Sequence, residues 1–106
     1  TCSIVCPTCN CFHVDDKLEL KVSAGIRERM MDSCMYPYYS KVAGGHDFRP
    51  KRSDRLKLYY THKLKEYIGH WGKPACVGCG RCVEYCPVNI NVVTVSQALY
   101  KEVMPK

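Results

Sequence analysis

The sequence lacks the segments that would carry a chain into or across a membrane. No run approaches the roughly 20 apolar residues of a membrane-spanning helix, and no basic segment followed by an apolar stretch opens the chain as in a signal peptide. A Ser/His/Asp set, a phosphate-cradling glycine loop and a paired-carboxylate motif are also missing. We therefore expect a protein of the reducing cytoplasm whose partners, rather than the chain itself, carry out catalysis.

Cysteine is the residue that the sequence has in excess. Its 106 residues amount to one small domain, whose apolar core is marginal at this size, and nine of them are cysteines. So many cysteines indicate that the chain is cross-linked by disulfides, zinc or iron-sulfur clusters. The odd number argues against a closed set of disulfides. We expect residues 1–106 to belong to a single domain.

Basic residues outnumber acidic ones by sixteen to ten, which gives a formal net charge of +6. Part of this excess can balance clusters held by four thiolates, which are anionic. The basic run RPKRSDRLK, at positions 49–57, also raises nucleic-acid binding as an alternative. The aromatic residues beside it fall at helical spacing rather than at that of a base-stacking platform, so we expect no nucleic-acid partner.

The tail of the chain carries the complete spacing C-x-x-C-x-x-C-x-x-x-C-P of a bacterial ferredoxin. The stretch ACVGCGRCVEYCPVNI supplies its residues: Cys76, Cys79, Cys82, Cys86 and Pro87. Two-residue gaps let three thiolates on one loop reach three corners of a four-iron cluster, and Gly78 and Gly80 let the backbone curl around it. In two-cluster proteins the fourth cysteine serves the other cluster.

Zinc and disulfides are the alternatives for this tail. Zinc sites pair two C-x-x-C knuckles and do not require the third cysteine or the C-P ending. Four cysteines within eleven residues would be hard to bridge by disulfides without strain. The spacing therefore favours an iron-sulfur cluster.

The head of the chain, TCSIVCPTCNCF, holds only the second half of the same motif, namely Cys2, Cys6 and Pro7. If the last cysteine of each motif binds the cluster of the other motif, a first [4Fe-4S] cluster has four ligands: Cys6, Cys76, Cys79 and Cys82. A second [4Fe-4S] cluster takes Cys2, Cys86 and two cysteines outside the 106 residues. We accordingly expect the N-terminal part of the domain to be missing from this chain.

Three cysteines remain outside these assignments: Cys9, Cys11 and Cys34. If the native chain starts at Thr1, one or more of them would replace the missing ligands. Otherwise they pack as small hydrophobic side chains beside the clusters or tune a cluster through contacts with its ligands.

Local patterns predict several elements of secondary structure. The alternation in HVDDKLELKV predicts a strand or a short β-hairpin within residues 13–22, turning around Asp15 and Asp16, although KLELK would also suit the start of a helix. We expect a helix over 26–35, a loop at AGGHDFRP, and a short strand at NINVVTV followed by a helix over 97–103 that Ser96 caps.

The firmest prediction is a helix over 53–68 that Ser53 caps and Gly69 ends. Its apolar stripe of Leu56, Tyr60 and Leu64 is expected to face the interior. The lysines at 57, 63 and 65 are expected in solvent or against a partner.

The order of these motifs resembles a known family. CPTCNCF, then MDSC, KVAGGHDFRP, a Tyr/His/Lys-rich helix and finally PACVGCGRCVEYCPVNI resemble the 4Fe-4S dicluster subunits of sulfhydrogenase-type NiFe hydrogenases and the A subunit of anaerobic sulfite reductase. The small iron-sulfur subunit of heterodisulfide reductase is more distantly similar. The resemblance implies a mainly α, α-helical ferredoxin-like domain with two [4Fe-4S] clusters. It also implies that two further cysteines lie just upstream of Cys2.

The resemblance further implies a non-catalytic subunit of a hetero-oligomeric cytoplasmic oxidoreductase. Such a subunit relays single electrons between a flavoprotein partner and a catalytic partner. Two alternatives stay open: a free-standing soluble two-cluster ferredoxin, and a regulatory or nucleic-acid-binding protein whose cluster is structural.

Overall fold

The computed structural model describes residues 2–21 and 24–103 of the chain. In chain order its regular elements are α1 (Cys2–Val5), β1 (Phe12–Leu18), β2 (Gly25–Met31), α2 (Arg52–Thr61), a π-helical segment (His62–Glu66), α3 (Tyr67–Trp71), α4 (Arg81–Glu84) and α5 (Val92–Val103). Among the described residues no helix is long and apolar enough to cross a membrane. The α-helical ferredoxin-like fold and the single domain stay predictions.

Strands β1 and β2 form an antiparallel hairpin, paired from Phe12 opposite Met31 to Leu18 opposite Gly25. Exposed cross-strand ion pairs support this register, with Arg27 Nε 2.7 Å from Asp16 Oδ1. The sequence correctly predicted a strand here. The turn predicted around Asp15 and Asp16 is wrong, because both residues lie inside β1.

The helix predicted over 26–35 is also wrong, because Gly25–Met31 is a strand. Arginine, glutamate and methionine are good helix formers, and these types dominate GIRERMM. Cross-strand partners override that preference: Lys17 Nζ donates to Glu28 Oε2 at 2.7 Å, and the Arg29 guanidinium lies 4.2 Å from the centre of the Phe12 ring.

The predicted helix over 53–68 is confirmed, but it is longer and capped differently. It begins at Arg52, with no side-chain cap on its first turn, and continues through the π-helical segment to Trp71. Gly69 lies inside it. The helix ends at Gly72, whose positive φ of 67° lets its N–H donate to the Ile68 carbonyl at 3.0 Å.

The buried face of this long helix differs from the predicted one by one residue. Arg55, Tyr59 and Lys63 are buried, whereas the predicted stripe of Leu56, Tyr60 and Leu64 is half-buried. Lys57 and Lys65 are exposed, as predicted, but the prediction that Lys63 is solvated is wrong. The helix therefore places an ammonium, a guanidinium and a phenol on one buried face.

Arg55 fixes the loop that precedes the helix. Its guanidinium donates to the carbonyl oxygens of Met35 (3.2 Å), Arg49 (3.0 Å) and Pro50 (2.8 Å). Three backbone acceptors that a loop would otherwise leave without a partner are thereby satisfied.

The last helix replaces a predicted strand. Residues Val92–Val103 are α-helical, so the predicted strand at NINVVTV and the cap at Ser96 are both wrong. Asn91 occupies the capping position instead, because its Oδ1 accepts from the Val93 N–H at 2.8 Å. Ser96 lies within the helix and donates to the Val92 carbonyl.

Candidate metal centre

The two C-x-x-x-C-P elements of the sequence have the same local structure. Helix α1 starts at Cys2 and precedes Cys6, and helix α4 spans Arg81–Glu84 and precedes Cys86. The two short helices contact each other. The repeated motif is therefore a repeated structural unit, and its copies from the head and the tail of the chain lie side by side.

A cavity of about 150 Å³ lies where the head meets the tail. Four cysteines line it: Cys6, Cys76, Cys79 and Cys82. These are the residues assigned to the first cluster, and four thiols are the donor set that a [4Fe-4S] cluster takes. The residues present therefore fit the cluster. The assignment of individual ligands stays a prediction that this cavity supports.

The remaining lining of the cavity is largely apolar, with a threonine and a lysine as its polar members. Tyr59, Tyr60, Leu64, Val83 and Val92 contribute rings and aliphatic groups. Such a lining limits the access of water to Cys6, Cys76 and Cys82, whereas Cys79 is exposed. Charge interactions are stronger where water is excluded. The polar members are Thr8 and Lys63, and Lys63 carries a charge.

Two glycines shape the loop that presents the tail cysteines. Gly78 has a φ of 67° and Gly80 a φ of 75°, a region that other residues rarely adopt. The Gly80 carbonyl accepts from the Val83 N–H at 2.9 Å, which starts α4. The curled loop predicted from these glycines is confirmed.

A hydrogen-bonded junction joins three parts of the chain beside the cavity. The Thr8 hydroxyl donates to the Ala75 carbonyl at 2.7 Å, and the Ala75 N–H donates to the Lys63 carbonyl at 2.9 Å. The Lys63 ammonium donates to the Thr8 carbonyl and, at 2.9 Å, to the Thr8 hydroxyl. Because Thr8 follows Cys6 by two residues and Ala75 precedes Cys76, this junction holds the two cysteines at one cavity.

Cys6 and Cys9 are neighbours with opposite acidities. Burial raises the pKa of Cys6, but hydrogen bonds from Thr8 and the charge of Lys63 outweigh it and lower the pKa to about 7. Burial dominates at Cys9 and raises its pKa to about 12, despite the charge of Lys63. Since the thiolate is the form that binds metal, Cys6 is the better ligand of the two.

The two cysteines assigned to the second cluster lie near Tyr60. Burial and the nearby thiolates of Cys2, Cys82 and Cys86 raise the pKa of the Tyr60 phenol. Cys86 Sγ also accepts from the Ile90 N–H at 3.1 Å, which orients the sulfur. Cys2 and Cys86, from opposite ends of the chain, are thus brought together on the flank of the first site.

Cys11 and Cys34 lie at the base of the hairpin. The Cys11 carbonyl accepts from the Asp32 N–H at 3.0 Å. Burial, and then the neighbouring Cys11, raise the pKa of Cys34 to about 11. Cys34 is buried, as expected of a cysteine that packs as a small hydrophobic side chain. In the described part of the chain neither thiol lines the cavity.

Three residues of the site were missed from the sequence: Thr8, Lys63 and Ala75. No periodicity marks the first and last, because they act through hydrogen bonds across 67 residues. Lys63 lies four residues after Tyr59, so a helical pattern centred on Tyr59 rather than Tyr60 would have found it.

Among the described residues no group of His, Cys, Asp or Glu side chains is close enough to hold a single metal ion.

Thiols from both ends of the chain, gathered at one cavity and beside it, define a cysteine-ligated iron-sulfur protein. The chain belongs to the 4Fe-4S dicluster domain family, whose pattern matches residues 1–90. Two [4Fe-4S] clusters are therefore its cofactors, and the resemblance noted in the sequence is confirmed.

One curated relative carries the comparison further. The chain is 46% identical over 94 residues to sulfhydrogenase 2 subunit beta of Pyrococcus furiosus. The match covers 89% of this chain and 27% of that protein, so the chain spans about a quarter of the relative's length. No solved structure matches the chain significantly.

Proposed function

We propose that the domain is an iron-sulfur electron-transfer module, which relays single electrons through two neighbouring [4Fe-4S] clusters within an oxidoreductase complex. The observation that carries this proposal is the set of four cysteines from the head and the tail that line one cavity, with Cys2 and Cys86 beside it. The clusters supply one-electron chemistry when bound.

The chain's own residues contribute ligands, water exclusion and orientation. In the crossed arrangement Cys6 joins the three tail cysteines at the cavity, and Cys86 joins Cys2 on the second cluster. The apolar lining limits the access of water to Cys6, Cys76 and Cys82, whereas Cys79 is exposed. The N–H of Ile90 orients Cys86. Because both copies of the motif pack together, the two centres are neighbours, as a relay requires.

The relative's name supports a place in a larger assembly. Since that protein is a sulfhydrogenase subunit, we propose that this domain also belongs to a hetero-oligomer with a flavoprotein subunit and a catalytic subunit. Thiols that serve as ligands must stay reduced, which supports a cytoplasmic location.

A reductive titration of the anaerobically loaded full-length protein, with the remaining ligands of the second cluster present, tests the relay. We expect two electrons to be taken up reversibly, one for each cluster, and each reduced cluster to give an electron paramagnetic resonance signal. Clusters that decompose on reduction would contradict the proposal and would favour a structural role. Gel filtration of the native complex then separates a subunit, which elutes with its partners, from a free-standing ferredoxin.

A further inference from the structure

The side chain of Lys63 is the least expected member of the cavity. Only 5% of the residue's surface is exposed, although an ammonium ion is costly to remove from water unless its charge is compensated. It lies in the π-helical segment His62–Glu66, and such turns in otherwise α-helical stretches are frequent at functional sites. A buried cation at this position therefore calls for an anion beside it.

The protein groups around Lys63 do not supply that anion when the thiols are neutral. Its ammonium donates to the carbonyl and the hydroxyl of Thr8, which are both uncharged. Within residues 2–21 and 24–103, the ion pairs of the structure join other residues and leave Lys63 without a carboxylate. The compensating charge has to come from the cavity itself.

Cysteines are the negative groups that face Lys63. Lys63 contacts Thr8, which follows Cys6 by two residues. Lys63 lines the same cavity as Cys6 and the three tail cysteines of the first site. The charge is therefore directed at the first cluster site.

We propose that Lys63 is the counter-charge of the cluster held at this cavity and that it raises the reduction potential of that cluster selectively. This inference rests on the proposed function. Reduction by a one-electron donor adds one negative charge to the cluster and transfers no proton to the lysine. A fixed cation in a low-dielectric site stabilises the reduced form more than the oxidised form, so the potential rises.

A purely mechanical role for Lys63 predicts different behaviour. Its hydrogen bonds to Thr8 help to hold the head of the chain beside the tail, so removing them changes the fit of Cys6. Lys63→Gln tests this role separately, because it keeps a hydrogen-bond donor and removes the charge. Lys63→Met removes both the donor and the charge, and Lys63→Arg keeps both. Lys65→Met is the matched control, since Lys65 is exposed.

The test is a potentiometric titration of each loaded variant, followed by electron paramagnetic resonance. We expect Lys63→Met and Lys63→Gln to lower the midpoint potential of one cluster and to leave the other unchanged. Lys63→Arg and Lys65→Met should keep both potentials close to those of the unchanged protein. Unaltered potentials in a fully loaded Lys63→Gln variant would overturn the proposal, as would an equal shift in Lys63→Arg.

Failure of a variant to load is also decisive. If both neutral variants lose one cluster while Lys63→Arg retains it, the charge is required and the proposal is supported. If Lys63→Arg loses the cluster as well, the shape of the tether is what matters and the proposal is overturned. If the proposed function is wrong, the result is different: the unchanged protein itself does not hold two clusters that can be reduced reversibly.

Discussion

The hydroxyl of Thr8 donates a 2.7 Å hydrogen bond to the carbonyl oxygen of Ala75, across 67 residues of sequence. Closing a loop of that length costs conformational entropy, and few residues are buried to offset it: Ser33, Cys34, Arg55, Tyr59, Lys63 and Ala75 in the described chain. Metal binding contributes folding free energy where a core is this small. The hydrogen-bonded junction between Thr8 and Ala75 and the bound clusters therefore stabilise each other.

Cys6→Ser is expected to remove one cluster, whereas Cys9→Ser retains both. The reason is position, because Cys6 lines the cavity with the three tail cysteines and Cys9 does not. Iron and acid-labile sulfide analysis after anaerobic reconstitution measures the outcome. If Cys9→Ser loses half the iron and Cys6→Ser loads fully, Cys9 and not Cys6 is the cluster ligand.

The crossed ligand arrangement predicts which variants resemble each other. Cys6→Ser should lose the same cluster as Cys76→Ser, and Cys86→Ser should alter the cluster that Cys2→Ser alters. Mössbauer and electron paramagnetic resonance spectra of the four variants sort them into two pairs. If Cys86→Ser gives the spectrum of Cys76→Ser, all four tail cysteines bind one cluster and the crossing is refuted.

Gly78→Ala and Gly80→Ala are expected to destabilise the loaded protein by about 1–2 kcal/mol each, because a side chain disfavours their positive φ. Apart from chain neighbours, no protein atom lies within 4 Å of the added methyl group at either position, so clashes with the rest of the chain do not contribute. Gly69→Ala is the control: it lies in α3, where alanine is expected to stabilise by about 0.5–1 kcal/mol. Cluster release rates and thermal unfolding measure all three, and a Gly78→Ala variant as stable as Gly69→Ala would contradict the prediction.

Arg55→Met is expected to lower stability by about 2–4 kcal/mol, because three part-buried hydrogen bonds from a charged donor to backbone carbonyl groups are lost. For a domain of about 100 residues this corresponds to a fall in melting temperature of roughly 8 °C or more. Arg52→Met, on the exposed first turn of the helix, is the matched control and should change little. Equal melting temperatures for the two variants would show that the hydrogen bonds of Arg55 contribute nothing to the loop.

Local chemistry was readable from the sequence where neighbours along the chain determine the structure. The spacing of Cys76, Cys79 and Cys82 and the glycines between them predict a curled loop, and the loop is present. The helix over 53–68 follows in the same way from its apolar repeat. These features depend on interactions within a few residues.

Features that depend on distant partners were not readable. The segment GIRERMM has helix-forming residues, yet its pairing with β1 makes it a strand. The error at NINVVTV has a local cause instead, because its β-branched residues favour a strand but the side chain of Asn91 caps a helix two residues later. Lys63 looked like a surface residue, because only the contact with Thr8 shows that it is buried.

The gathering of both ends at one cavity also orders events during synthesis. Cys6 leaves the ribosome before the other cysteines that line the cavity, which follow about 70 residues later. A nascent chain therefore offers no complete set of four thiols for this site until Cys82 has been translated. Cluster delivery has to wait for nearly the whole of this segment, during which Cys6 is an unprotected thiol that oxygen can attack.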